Sequence, residues 1–321
     1  MTRKIRFIFY ILCVVQCTLF SNCSNGQNTK NIAGEYDNGL YIFDDNTFMA
    51  GGVNAVVFGT VEVNGNIITL IKHHPKQKFA LYGRQVGTRL YGNTIMFQGF
   101  EDNGLVNLSE NNNPPKVMRR VFNADANCVD WPSFYDNGED CKEIYFADKN
   151  DPQLYKFELP KGVRDFVAFR FDFEDNPILY EPIVAKVADD FNSISFAANG
   201  EKIAKKPLTK KILQTKDMVM SMYERAYPEG KYYYCNPAYN IFEETGINIS
   251  NYKEIGTKEE GVLQLKGSKR YEPGAENRLK FDYHSDEIIY RYEKIEAKVI
   301  SNMDFSINNK SIFTFVCGTQ E

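Results

Sequence analysis

The stretch VVFGTVEVNGNIITLI, residues 56–71, decides the fold class. Two runs rich in β-branched and aromatic residues flank a short polar break. Such side chains fit a pleated, half-buried surface. Asn64-Gly65 tolerates positive φ at both central positions of a type I′ turn, whose twist matches that of the strands on either side. The segment is therefore predicted to be a β-hairpin, Val56–Val63 against Asn66–Ile71.

The same reading extends in both directions. Residues 39–43 and 47–49 are short strands around the turn cluster Asp44-Asp45-Asn46. Residues 78–82, 94–99 and 117–122 continue the pattern. Short strands at this density predict a small barrel or sandwich over residues 32–122. Residues 123–152, rich in Asp, Asn and Gly, read as an irregular connector. From residue 153 strands resume at 154–159, 166–173, 178–180 and 193–197, the last entering a second hairpin at Asn199-Gly200. Ile212, Met218, Val219, Met222 and Tyr223 fall roughly on one helical face, and Pro228 stops the segment, so 212–226 is predicted to be a helix. A further hairpin is expected at 278–293, around His284-Ser285-Asp286. The predicted fold class is mainly β: an N-terminal barrel or sandwich, then a second β-rich domain over 153–321 with one short helix.

The order Gly34-x-Tyr36, Phe43 to Phe48 and Phe58 to Leu70 resembles a lipocalin-like β-module. Such modules recur in bacterial envelope lipoproteins, including the N-terminal barrel of the copper-resistance and stress-sensing lipoproteins. The resemblance covers about 40 residues and implies a fold. The Cys-x-x-Cys pair of the copper-resistance proteins is missing, so no copper role is carried over.

The amino end reads as an export signal over residues 1–26. Arg3, Lys4 and Arg6 precede an apolar run from Phe7 to Phe20, and a small polar stretch follows. That run is about 21 Å long as a helix, at ~1.5 Å per residue. A bilayer core needs about 20 residues, so the run is short for a permanent anchor. Two processing routes are open. Leu19-Phe20-Ser21-Asn22-Cys23 resembles a lipobox, with Asn22 where a smaller residue is usual, and would leave lipid on Cys23. Cleavage after Gly26 would instead leave a soluble chain beginning at Gln27. Cys23-Ser24-Asn25-Gly26-Gln27 resembles the start of many lipoproteins of Bacteroidota-type bacteria, which favours the first route.

Export changes how the cysteines are read. Both routes leave Cys128, Cys141, Cys235 and Cys317, and an even set in an oxidising compartment predicts two disulfides. The pairing expected is Cys128–Cys141 across a short loop and Cys235–Cys317 tying down the C-terminal strand. Four buried free thiols are the alternative.

Little in the chain points to catalysis. It has three histidines, His73, His74 and His284. A zinc site needs three or four convergent ligands, which no spacing here supplies, so no metal and no cofactor is expected. There is no nucleophile elbow, phosphate loop or paired-histidine helix. Asp172 and Glu174 share one strand face opposite Phe171 and Phe173. Simple alternation explains that pattern, but two carboxylates on one face are also what glycoside hydrolysis uses. Lys202, Lys205, Lys206, Lys210 and Lys211 form a basic run suited to an acidic glycan, a lipopolysaccharide or a membrane face, or to a solvated strand edge. Tyr232-Tyr233-Tyr234 and Trp131 are the candidate sugar-stacking rings, with packing against a disulfide the plainer use of the tyrosines. A net charge of −4 gives no general attraction to nucleic acid.

The chain is thus expected to be a non-enzymatic cell-envelope protein, in the periplasm or on the outer membrane, that binds an envelope protein or glycan or serves structurally. The alternatives are a secreted glycan-acting hydrolase using Asp172 and Glu174, or a small-barrel carrier of an apolar ligand. The carrier requires an open lumen, which Phe43, Phe48, Phe58 and Met96 would fill if they pointed inward.

Overall fold

The computed structural model describes residues 29–36, 39–51, 56–86, 92–101, 103–109, 114–124, 126, 128, 133–138, 141–171, 181–196, 200–236, 247–255, 257–268, 287–301 and 304–316. The export signal with Cys23, and Trp131, Asp172, Glu174, the 178–180 strand, His284 and Cys317, lie outside those residues. In chain order the first strands are β1 (Gly34–Tyr36), β2 (Leu40–Ile42), β3 (Thr47–Gly51), β4 (Val56–Asn64) and β5 (Ile67–Lys72). Next come β6 (Phe79–Gln85), β7 (Thr94–Gln98), β8 (Gly104–Ser109), β9 (Val117–Arg120), β10 (Phe134–Asp136), β11 (Glu143–Asp148), β12 (Asp151–Glu158) and β13 (Val163–Arg170). Then follow β14 (Ile183–Val187), β15 (Ser193–Phe196), β16 (Lys202–Lys206), helix α1 (Lys210–Ala226) and β17 (Tyr232–Cys235). The last are β18 (Tyr252–Ile255), β19 (Val262–Leu265), β20 (Ile288–Ile295), β21 (Ala297–Ile300) and β22 (Ser306–Asn308). The chain divides into two units: residues 1–74 with 174–219, and residues 75–173 with 220–321.

The first unit is a closed barrel in the order β1-β16-β15-β14-β5-β4-β3-β2. Every neighbouring pair is antiparallel. It is an up-and-down meander whose fifth and sixth strands, β5 and β14, pair side by side although about 110 residues separate them in sequence. The barrel expected over 32–122 is therefore corrected. Its first five strands come from that range, and 183–206 supplies the other three. Closure removes the unpaired edges that an open sheet would present.

Inward-facing side chains from all eight strands meet in one apolar cluster. It includes Tyr36, Leu40, Ile42, Phe48, Val61, Ile68, Leu70, Ala185, Val187, Ile194 and Ile203. A barrel of this strand number is just wide enough for side chains to fill. Ile32 joins the cluster, and the Tyr36 hydroxyl donates to the Ile32 carbonyl at 2.7 Å. Of the four expected fillers, Phe48 is inside. Phe43 is buried under the Lys216 ammonium, 4.5 Å from its ring centre, and Phe58 is half-buried. Met96 belongs to the other unit.

The turn that decided the fold class differs by one residue from the expectation. Asn64 pairs with Ile67, so the two-residue loop is Gly65-Asn66. Gly65 has φ +62°, and Asn66 is not among the residues of positive φ. This is the pattern of a type II′ turn, with glycine first. Helix α1 starts two residues before the predicted 212, where the Thr209 hydroxyl accepts the Ile212 N–H at 3.3 Å. Its expected apolar face is its buried one only in part, for Ile212, Val219 and Tyr223 are half-buried on the side of Lys216. Met218 and Met222 are exposed, while Lys216 is buried and ion-paired with Asp45. Lys216 lies about 160° from Met218 around the helix at ~100° per residue, so both cannot face inward.

The second unit packs two sheets face to face. One has the order β10-β7-β13-β6-β20-β19-β18 with β17 on β20, and the other β21-β12-β11-β8-β9-β22. Phe79, Leu81, Ile95, Phe97 and Phe166 of the first sheet meet Val106, Ile144, Phe146, Tyr155 and Phe157 of the second in a buried core. The expected irregular connector at 123–152 is corrected as well. It carries β10, β11 and the start of β12, and β11 lies centrally in its sheet. Asp136 and Asp148 accept the Gly138 and Asn150 N–H groups at 3.0 and 2.8 Å, tightening the turns that follow β10 and β11.

Candidate functional site

A groove of about 520 Å³ lies along β14, β15 and β16. Ile194 of β15 points into the barrel, so its neighbours Ser193 and Ser195 point outward. Ser195 stands opposite Lys186 on one side and Lys202 on the other. Two inter-strand spacings, about 10 Å, separate the lysine Cα atoms. All four of these side chains line the groove.

The connection from β14 to β15 forms one wall. The Ala188 N–H donates to the Ser193 carbonyl at 3.0 Å, and the Phe191 N–H donates to the Ala188 carbonyl at 2.9 Å. Phe191 has φ +56°, a left-handed conformation uncommon outside glycine, asparagine and aspartate, and the residue is 37% exposed. Asp189 and Asp190 are exposed and line the groove with it. The Asn192 N–H donates to Asp190 Oδ1 at 3.0 Å and, with Lys202, holds the Asp190 carboxyl below its ordinary value.

Ser193 is the unusual member. It is 4% exposed, and its hydroxyl has no hydrogen-bond partner among the described residues. Buried hydroxyls nearly always have one, because an unmet hydroxyl costs about 1–3 kcal/mol. Chemically the groove offers two ammonium groups, two hydroxyls and two carboxylates. It suits reversible binding of a polar group.

The predicted site residues are dispersed. The basic run does not form one patch. Lys202 lines the groove, the Lys205 ammonium donates to the Asn31 carbonyl at 2.7 Å, Lys206 pairs in register with Glu35, and Lys210 and Lys211 begin α1. His73 and His74 are exposed. Among the described residues no three His, Cys, Asp or Glu side chains converge as a metal site. Tyr233 packs on Phe169, ring centres 5.0 Å apart, within the sandwich unit's core. Tyr232 is the exposed member, with Arg291 5.5 Å from its ring centre. No described helix is long and apolar enough to cross a membrane.

Both expected disulfides are corrected. Cys141 and Cys235 are buried free thiols. Cys141 lies in the sandwich core, where its sulfur accepts the Asn93 amide at 2.9 Å. Cys235 is held on β17 opposite Tyr290. No disulfide joins two described cysteines, and Cys128 is disulfide-bonded.

Two other places gather polar groups. Glu143 and Glu158 face each other across β11 and β12, a carboxylate pair that only strand register reveals. Lys156 bridges them at 2.6 and 3.3 Å, and the Tyr145 hydroxyl donates to Glu143 at 2.5 Å. Lys298 also reaches Glu158 at 2.8 Å, so both carboxylates are already ion-paired. A cavity of about 220 Å³ in the sandwich unit includes Phe79, Phe171, Pro228, Glu229, Lys294 and Glu296 in its lining. Its wall is internally bonded: the Lys76 N–H donates to Glu229 Oε1 at 3.1 Å, and the Tyr82 hydroxyl lies 2.8 Å from the Pro228 carbonyl it donates to. The barrel groove keeps its polar groups less occupied. Ser193, Lys186 and Asp189 gave no signal in the sequence because the groove exists only once three strands lie side by side. Compared with known proteins, the chain matches no family model, no curated protein and no solved structure.

Proposed function

We propose that this chain is an exported cell-envelope protein, tethered to a membrane by lipid on Cys23, that binds an envelope ligand without transforming it. The observation that carries the reading is the contrast between the barrel's packed interior and the open groove on its outer face, where buried Ser193 has an unmet hydroxyl. A filled barrel works as a scaffold, and its ligand is held on the outside. The closed up-and-down topology supports the lipocalin-like resemblance, and the charged, apolar and small-residue order of residues 1–26 supports export. A lipid tether confines the protein to a surface and raises its effective concentration there.

The test is to express the chain in a bacterium with an outer membrane, recover the protein from membranes, and incubate it with envelope polysaccharide. The account predicts an acylated N-terminal Cys23 by mass spectrometry, and polysaccharide that co-sediments with its chain length unchanged. A mature N-terminus at Gln27 would remove the tether. Shortened polysaccharide would favour the hydrolase, and no retention would contradict binding.

A further inference from the structure

We infer that the β14–β16 groove takes an acidic saccharide, a sugar ring bearing a carboxylate. The inference rests on the binding role proposed above and names the ligand class for that same groove.

Lys186 has no ion-pair partner among the described residues, and Lys202 is shared only at longer range with Asp190. The two flank Ser195 across neighbouring strands. Two ammonium groups around a hydroxyl recognise one carboxylate through charge-assisted hydrogen bonds. Asp189, also without a partner among the described residues, stands at the turn end, where it accepts hydrogen bonds from ring hydroxyls. Ser193 lines the groove between them with its hydroxyl just beneath the surface, and a ring pressed onto this wall is what gives that donor and acceptor a partner. The exposed Phe191 ring flanks this turn as an apolar surface for a sugar face. A bare inorganic anion would use the lysines and leave Asp189, Asp190 and Phe191 idle.

Ser193 makes the inference separable from a structural role. A serine that supports the fold loses stability when its hydroxyl is removed. One whose hydroxyl waits for ligand loses none, because no protein hydrogen bond is broken.

The experiment titrates the intact mature protein, by calorimetry, with a glucuronate-containing tetrasaccharide, its carboxyl-reduced neutral counterpart, and inorganic phosphate. The inference predicts that the acidic tetrasaccharide binds at least tenfold tighter than either of the others. It predicts that Lys186→Gln with Lys202→Gln abolishes that preference at unchanged melting temperature. It also predicts that Ser193→Ala weakens binding severalfold without lowering the melting temperature. Equal binding of the neutral sugar, phosphate binding as tight as the acidic sugar, or unchanged affinity in the lysine variant would overturn it. Retention of envelope polysaccharide with no affinity for the acidic tetrasaccharide would sink this inference and leave the broader binding role standing. Failure of both would end both.

Discussion

Gly59 sits opposite Phe48 across β3 and β4, and the aromatic ring occupies the space a side chain would need. A Cβ at residue 59 would lie 2.5 Å from Phe48 Cε1 and 2.1 Å from the Ile71 carbonyl oxygen. The missing side chain is therefore part of how the barrel interior fills. Gly59→Ala is expected to cost about 3 kcal/mol, at the upper end for overpacking. Adding Phe48→Leu relieves the ring clash but not the backbone one, so the double variant recovers part of the loss. Urea unfolding of the single and double variants measures both.

In the sandwich unit, Arg84 Nε and the Tyr292 hydroxyl converge on Asp165 Oδ2 at 2.6 and 2.9 Å. The guanidinium lies 3.9 Å from the Tyr290 ring centre, and Arg84 and Asp165 are both buried. Removing one member of a buried pair strands the other charge, so Arg84→Met is expected to cost about 3–5 kcal/mol. Arg84→Met with Asp165→Asn should cost less than the sum of the single changes. A double-mutant cycle in urea checks the coupling, and strict additivity would contradict it.

Cys141 and Cys235 are free and buried. Mass mapping with a thiol reagent is expected to find both unlabelled in the native protein and both labelled after denaturation without reductant. Cys128 should label only after reduction. Unfolded, unreduced protein in which neither Cys141 nor Cys235 reacts would restore the pairings expected from sequence.

Burial pushes the Tyr36 hydroxyl up to about 12, and burial with the Glu143 carboxylate beside it does the same for Tyr145. The neutral form is favoured in the folded state, so the folded protein holds a proton that the unfolded chain gives up near pH 10. The stability from this is fully present below about pH 10 and is lost as pH rises towards about 12. Unfolding midpoints should fall across that window. Tyr36→Phe, lacking the ionisable group, should show a smaller fall there, although its midpoint at neutral pH is lower by the lost bond to Ile32. An equal fall in both proteins would contradict the assignment.

The local features of this fold were legible in the sequence, and the long-range ones were not. The hairpin at 56–71, the return at Gly200 and the helix are written in turn glycines, β-branched runs and helical spacing. Even there the turn moved by one residue, because Asn64-Gly65 and Gly65-Asn66 are both acceptable hairpin loops. Nothing local announces that β5 skips the next eight strands to pair with β14, as Leu70 does with Ile183. Both partners are apolar strands that fit many neighbours. The cysteine reading failed for a related reason: compartment and even number favour bridges, yet the core placed Cys141 and Cys235 where each serves as a small buried side chain. Of the groove, only Lys202 was visible beforehand, as one member of a basic run.

The most direct test of the central claim asks which face of the barrel meets ligand. Amide and methyl chemical shifts of the labelled protein would be followed as the acidic tetrasaccharide is added. The account predicts shifts at Lys186, Ser193, Ser195 and Lys202, with the interior methyls of Ile42, Ile68 and Leu70 unmoved. Shifts centred on those interior methyls, with the outer strand face silent, would contradict it.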